Sequence, residues 1–294
     1  MSMRVTYVMF ILYLLATLGI GVYFYDRKAK LEDYLLGGRA MGSWVTAFSA
    51  QASDMSGWLL LGLPGAIYLY GIGRMWIAVG VLAGTILNWL LVAPRLRVYS
   101  AQLGALTISS FISLRFRDPL HLLRFFSAAV TIFFFTIYMA SGLVGAGKLF
   151  ESLFDINYTL AVGIGMLVIL LYTVSGGFLA VCWTDLFQGI LMFFALVLLP
   201  LAVITHIEPG AIARAAAAKG ISMDLLPTLP NVVSEGHWYD SPGMLSLLAL
   251  TTSLAWGLGY FGQPHILVRF MGIRSAKLLP KTMLIAIAWA SCAL

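Results

Sequence analysis

Residues 51–58 read Gln51-Ala52-Ser53-Asp54-Met55-Ser56-Gly57-Trp58, inside an apolar, small-residue stretch that runs from about 42 to 70. A carboxylate at the centre of a membrane helix costs about 2.5–3.5 kcal/mol even on the lenient insertion scale. Such a group is retained where a cation, a proton or a ligand uses it. Gly57, Gly62, Pro64 and Gly65 follow closely, so the helix that carries Asp54 is expected to be interrupted. An acid beside a break in a buried helix implies an ion-coupled transport site. The competing reading is an acid that caps a half-helix or bonds backbone amides.

Composition frames this stretch. At 61% hydrophobic and 10% charged, with mean hydropathy +0.94, the chain lies outside the soluble globular range. Apolar runs long enough to cross a bilayer recur along its length, so the fold class is an all-α polytopic membrane protein. The runs are continuous rather than alternating, which excludes a β-barrel. The first run, about 5–25, is too long for a signal-peptide core and is followed by basic residues where a cleavage site would stand, so it reads as a retained helix. Cys182 and Cys292 fall in apolar segments and imply neither a disulfide framework nor metal-ligand spacing.

Helices are expected at about 5–25, 42–70, 74–98, 121–150, 158–176, 180–206 and 242–271, with another from about 278. Basic residues then sort by side. Arg27, Lys28, Lys30, Arg39, Arg95, Arg97, Arg115, Arg117, Arg124, Arg269, Arg274, Lys277 and Lys281 share one side; Arg4, Arg74, Lys148, Arg214 and Lys219 share the other. The positive-inside rule makes the first side cytoplasmic and puts the N-terminus outside. The loop at about 176–180 carries no basic residue and is neutral in this count. The net charge of +6 therefore reflects topology and is no nucleic-acid signal. Of the 12 acids, only Asp54 and Asp185 fall within expected membrane segments, Asp185 near a cytoplasmic helix end.

A second segment also reads as broken: Trp256-Gly257-Leu258-Gly259-Tyr260-Phe261-Gly262-Gln263-Pro264-His265. Its glycines and proline cannot sustain a regular helix, and the freed backbone groups cannot face lipid. Two interrupted helices at matching positions point to an inverted-repeat transporter. The whole chain, 1–294, reads as a single transmembrane transporter domain. It comprises an extra N-terminal helix within 1–30, a first five-helix repeat over 42–206, and the start of a second repeat over 241–294. That second repeat is expected to be truncated, which makes the chain a fragment that would not transport alone.

A sodium ion is hard and takes several oxygen ligands, which unwound carbonyls supply without extra buried charge. The first break offers the carbonyls of Ala52 and Met55, with Ser53, Ser56 and Asp54 nearby. Half-helix N-termini favour a carboxylate. Trp256 and Tyr260, four apart, are expected to share a face and attract an amine, unless they serve packing or an aromatic belt. Ser56, Gly57 and Trp58 are the matching positions on the first break, and the set suits a small zwitterion. Tyr138 either offers its hydroxyl to the cavity or packs in the core. Asp185 either serves an ion exit path or is held by solvent.

Three patterns carry no such chemistry. Gly257 to Gly262 matches GxGxxG, but no strand precedes it and Gln263-Pro264 follows, so it is no nucleotide turn. Gly80 and Gly84 form a GxxxG that reports close helix packing. A carboxylate pair of Asp54 and Asp185, as in an intramembrane enzyme, lacks a Gly-x-Gly-Asp motif and places its acids at different depths. With no catalytic triad or phosphate loop, the chain does not read as an enzyme.

Gly37-Gly38-Arg39, Ala50 through Leu60 and Leu63-Pro64-Gly65-Ala66 resemble the sodium/solute symporter family, and within it the proline-carrying members. So do Phe135-Thr136-Ile137-Tyr138, Gly176 through Val181 with Trp183-Thr184-Asp185, and Trp256 through Arg269. The resemblance implies a LeuT-type fold with one extra N-terminal helix, in a bacterial plasma membrane, carrying sodium and L-proline together inward with no obligate protein partner. It implies sodium as the only metal, on the carbonyls of Ala52 and Met55, with Asp54 needed for its binding. Ser56, Gly57, Trp58, Tyr138, Trp256, Tyr260 and Pro264 would line or gate the proline site. Arg39 would belong to the cytoplasmic coupling machinery, and Asp185 to the sodium exit route or a second ion site. The hydroxyls that complete the family's sodium site would lie beyond Leu294. Other small solutes, or a transporter-like sensor region of a histidine kinase, are the alternatives.

Overall fold

The computed structural model describes residues 3–26, 30–221, 223–225 and 242–294. Arg27 and Lys28, counted above as cytoplasmic charges, and Ser241, near which the second repeat is expected to begin, lie outside the described residues. The fold is helical, and among the described residues extended pairing is limited to one parallel bridge between Met41 and Ile273. The helices are α1 (Met3–Tyr23), α2 (Leu31–Leu36), α3 (Ser43–Gly57), α4 (Leu63–Tyr70), α5 (Met75–Leu87), α6 (Ala93–Gln102) and α7 (Ile108–Arg115). They continue with α8 (Leu122–Phe154), α9 (Tyr158–Ile204), α10 (Ala211–Ala218), α11 (Pro242–Ala255), α12 (Pro264–Gly272) and α13 (Leu279–Ala293). Five helical segments among the described residues are long and apolar enough to cross a membrane. The protein is a multi-pass membrane protein.

One of those five holds two passes. A straight helix of 47 residues would run about 70 Å, more than twice the roughly 30 Å hydrocarbon core. Gly177 divides α9, at φ 56 and ψ −150, and contacts with α1 show that the chain reverses there. The Tyr7 hydroxyl donates to the Phe154 carbonyl at 3.4 Å, Gly21 lies against Tyr172, and the Gln188 amide donates to the Tyr13 hydroxyl at 2.5 Å. The chain thus ascends alongside α1 from residue 154 to 172 and descends again by 188. A Cβ at residue 177 would stand 2.9 Å from the Tyr34 carbonyl oxygen, so only glycine fits the turn. The expected pair of helices on either side of 176–180 is what forms.

Two prolines each follow a π-helical turn. Trp58–Gly62 precedes Pro64, and Asn88–Val92 precedes Pro94. Proline lacks the N–H and crowds the carbonyl four residues back; widening the turn relieves that clash without ending the helix. The region from 98 to 121, expected as a basic loop, departs from expectation. Helix α6 runs on to Gln102, Gly104 turns the chain at φ 63, and the Thr107 hydroxyl caps α7 by accepting the Ser110 N–H at 3.1 Å. Helices this short escape a reading tuned to bilayer-length runs.

The core lies among α3, α5, α6, α12 and α13, where Met55, Leu59, Trp89, Phe270 and Trp289 are buried together. Trp89 and Phe270 meet at 4.5 Å between ring centres. Helix α8, by contrast, buries only Gly147 and Phe154 and turns its other apolar side chains outward, as a lipid-facing helix does.

Gly80 and Gly84 show why α5 carries its glycine stripe. A Cβ on Gly84 would stand 2.2 Å from the Gly257 carbonyl oxygen, and one on Gly80 would stand 2.6 Å from that of Leu254. The second broken segment thus seats its backbone directly on α5. Gly84→Ala is expected to destabilise the protein by about 1–3 kcal/mol and to lower its melting temperature in detergent. Gly142→Ala, where no atom lies within 4 Å of the added carbon, should leave melting unchanged or raise it.

Candidate functional site

Helix α3 is interrupted at Ser56, whose φ of 42° and ψ of −159° fall where residues other than glycine are strained. The neighbouring Gly57 keeps helical angles, so the strain sits on a residue with a hydroxyl. That hydroxyl accepts the Trp58 N–H at 3.4 Å, and the same N–H reaches back to the Met55 carbonyl. One of the two carbonyls expected to hold sodium is therefore already engaged, leaving its second lone pair. Ala52 packs near Gly189 of α9. The Tyr138 hydroxyl donates to the Ser53 carbonyl at 3.3 Å, so Tyr138 serves the break with its polar end rather than packing as a core ring.

The second break is a tight 3₁₀ turn, Trp256–Gly262, followed by extended Gln263 and by Pro264 at the start of α12. Its backbone is held by the Asn88 amide, which donates to the Tyr260 carbonyl at 2.8 Å in a buried contact. The expected shared face of Trp256 and Tyr260 does not form. With three residues per turn, positions four apart diverge by about 120°. Tyr260 is 4% exposed and Trp256 52%.

The two breaks nevertheless meet. Trp58 stacks on Trp256 at 5.8 Å and 22°, and the Tyr260 side chain lies beside the Asp54 carboxylate. The Asp54 Oδ2 is buried and without a hydrogen-bond partner among the described residues. The same holds for Gln51 Nε2, Thr85 Oγ1, Asn88 Oδ1, Gln263 Oε1 and both ring nitrogens of His265. His265 stacks on Tyr138 at 5.7 Å and stands edge-on to Phe135 at 5.3 Å. Buried polar atoms are nearly always paired. Their concentration around two facing helix breaks leaves donors, acceptors and one carboxylate unpaired there.

The family model for the sodium:solute symporter family matches residues 34–294. Sodium/proline symporters of Staphylococcus aureus strains JH9 and NCTC 8325 / PS 47 are 40% identical over 287 residues, covering 97% of this chain and 53% of each relative. The chain belongs to the sodium:solute symporter family. It spans about half the length of these curated relatives. A solved structure of a Na+-coupled sialic acid symporter, substrate-bound and outward-open, superposes with TM-score 0.76 at 20% identity, over 97% of this chain and 58% of that one. The fold is thus the LeuT-type fold.

A second charged cluster lies where α3, α9 and α12 meet. Asp185, expected on an ion path or in solvent, accepts the Arg269 Nη2 at 2.8 Å and the Ser49 hydroxyl at 2.6 Å, both on Oδ2. Arg269, counted above among cytoplasmic loop charges, is 5% exposed. It belongs to the interior, and the positive-inside asymmetry survives without it. The signal was present in the sequence, because a cation in the run Val268-Arg269-Phe270-Met271 calls for the same question as Asp54. Ser49, Asn88 and His265 had no comparable signal.

Arg39 ties the end of α12 to the segment after α6. Gly37, Gly38 and Arg39 turn the chain through three successive positive φ values. The guanidinium then donates to Glu32 at 3.0 Å, to the carbonyls of Ser100 and Ala105 at 3.3 and 2.8 Å, and to that of Met271 at 3.2 Å. Arg97 adds bonds to the carbonyls of Ile273 and Arg274 at 2.6 and 3.1 Å. Two cations thus satisfy carbonyls at the negative end of α12. Ser56→Gly is expected to raise stability by about 1 kcal/mol through relief of strain while weakening cargo binding. Ser56→Val should lower both, as read by thermal melting beside ligand affinity.

Proposed function

We propose that the full-length protein carries L-proline into the cell together with sodium, by alternating access. The observation that carries this reading is the Asp54 carboxylate, buried with an unpartnered oxygen beside the strained break at Ser56. Its neighbour Tyr260 belongs to the second break, so both broken helices converge on one negative charge. The name shared by the S. aureus relatives supports both sodium and proline. In this reading sodium sits among the carbonyls of Ala52 and Met55 and near Asp54. Proline lies where Ser56, Gly57, Trp58, Tyr138, Trp256, Tyr260 and Pro264 approach one another. The stacked indoles flank its ring, and the polar groups at the breaks bind its zwitterion.

The domain reading follows. Residues 42–206 form the first five-helix repeat, 241–294 begin the second, and the helix within 1–30 is additional. The excess of basic residues on one side supports an N-terminus outside, and the bacterial relatives support a plasma membrane. Arg39 couples the cytoplasmic ends of α6 and α12, so it moves with whichever of them rocks. An intramembrane carboxylate-pair enzyme is disfavoured because Asp54 and Asp185 have separate partners, Tyr260 for one and Arg269 with Ser49 for the other.

The driving force suffices. One charge crossing 100 mV contributes about 2.3 kcal/mol, and a tenfold sodium gradient adds about 1.4 kcal/mol. Together they sustain a solute gradient of several hundred-fold. Labelled proline uptake into proteoliposomes holding the full-length protein is expected with an inward sodium gradient and not with equal choline. Folded protein that takes up no proline under either condition would refute the proline reading. Asp54→Asn should raise the half-saturating sodium concentration by about tenfold or more, equivalent to at least about 1.4 kcal/mol. An unchanged sodium requirement would remove Asp54 from the ion site.

A further inference from the structure

The polar atoms left unpaired around the breaks are not scattered. Gln51 and Asp54 stand three apart on α3, and Thr85 and Asn88 stand three apart where α5 passes into its π-helical turn, so each pair lies on one helix face. Tyr260 joins the two turns. Its side chain lies beside both the Asp54 carboxylate and the Thr85 hydroxyl, and its carbonyl accepts the Asn88 amide at 2.8 Å. The contact of Gly84 with Gly257 sets this register, because it seats the second break on α5 one residue before Thr85. Thr85 and Asn88 are 2% and 1% exposed. Among the described residues, Asp54 Oδ2, Thr85 Oγ1, Asn88 Oδ1 and Gln51 Nε2 are buried without hydrogen-bond partners. The Asn88 amide spends its nitrogen on Tyr260, so an acceptor oxygen is what remains.

We infer that Thr85 and Asn88 are ion-binding residues: their oxygens, on α5 and its π-helical turn, join Asp54 in holding the transported sodium. This deepens the sodium-symport reading above and rests on it. The oxygens that lack partners are hard, one charged and two neutral, which is the kind of ligand a sodium ion takes. One carboxylate balances one monovalent cation, so the bound ion leaves no net charge to bury. A carboxylate alone cannot replace the water that a sodium ion sheds, and the neutral oxygens supply the remainder. Each such group left unpaired in the interior costs about 1–3 kcal/mol, and a cation among them pairs all three at once. The site draws α3, α5 and the second break onto one centre. Tyr260 belongs to the cargo set, so sodium held beside it fixes one wall of the cargo site.

The test is sodium affinity in the full-length protein, read in two ways. One is the half-saturating sodium concentration for labelled proline uptake into proteoliposomes. The other is the rise in melting temperature that sodium produces over choline in detergent without proline. Thr85→Val removes the oxygen and nearly keeps the shape. It is expected to raise the half-saturating concentration by about fivefold or more, to change the maximal rate at saturating sodium less, and to shrink the melting shift. Thr85→Ser restores the hydroxyl and should bring the half-saturating concentration back to within about twofold of wild type, with the melting shift recovered. If the valine variant does not fold, Thr85→Ala removes the same oxygen with less volume and carries the test. Asn88→Leu loses both its oxygen and its hold on Tyr260, and its melting shift should fall as well. An unchanged half-saturating concentration and melting shift in folded Thr85→Val protein would overturn the inference and assign those oxygens to ordered water, while sodium symport stands. Wild type with neither sodium-driven uptake nor a sodium-dependent melting shift would strike at the symport reading itself and take this inference with it.

Discussion

A helix broken inside a bilayer frees backbone donors and acceptors that lipid cannot satisfy, and the architecture of this protein follows from supplying them. At the first break the Trp58 N–H turns back to the Met55 carbonyl and the Tyr138 hydroxyl covers the Ser53 carbonyl. At the second, Asn88 covers the Tyr260 carbonyl and Arg269 that of His265. These partners come from α8, from the π-helical turn of the α5–α6 segment, and from α12 itself. Each break has a neighbouring element packed against it. The same requirement makes the breaks polar.

Close approach makes this supply possible. Gly80 and Gly84 let the second broken segment rest on α5 at backbone distance, which brings Asn88 within reach of Tyr260. The π-helical turn ahead of Pro94 includes Asn88 itself. A residue that looks like ordinary helix interior in sequence thus supports the site, through a helix defect caused by a proline six positions later. Arg39 and Arg97 do for the carbonyls around the end of α12 what the side chains above do for the breaks.

The membrane acids illustrate how far a single chain can be read. Asp54 stood out because an unpaired carboxylate is costly in an apolar run, and the glycines and proline after it announced the break; both features hold. The break itself falls on Ser56 rather than Gly57, since local propensity cannot tell which of two adjacent residues will take the strain. Asp185 was visible as an acid, but its partner lies 84 residues away. Nothing in the spacing of α9 points to α12. Trp256 and Tyr260 do not share a face, because their segment winds with a period near three rather than 3.6.

Sequence alone determined the class of the protein, its long apolar helices, the two breaks and the residue types at them. Those properties arise from local chemistry: apolar length, glycine and proline geometry, and the cost of placing charge in hydrocarbon. Tertiary structure alone decided that Trp58 stacks on Trp256, that Tyr260 turns toward Asp54, and that Arg269 claims Asp185. Each of these depends on the approach of helices distant in sequence, and a side chain's partner is set by packing geometry that no local periodicity encodes.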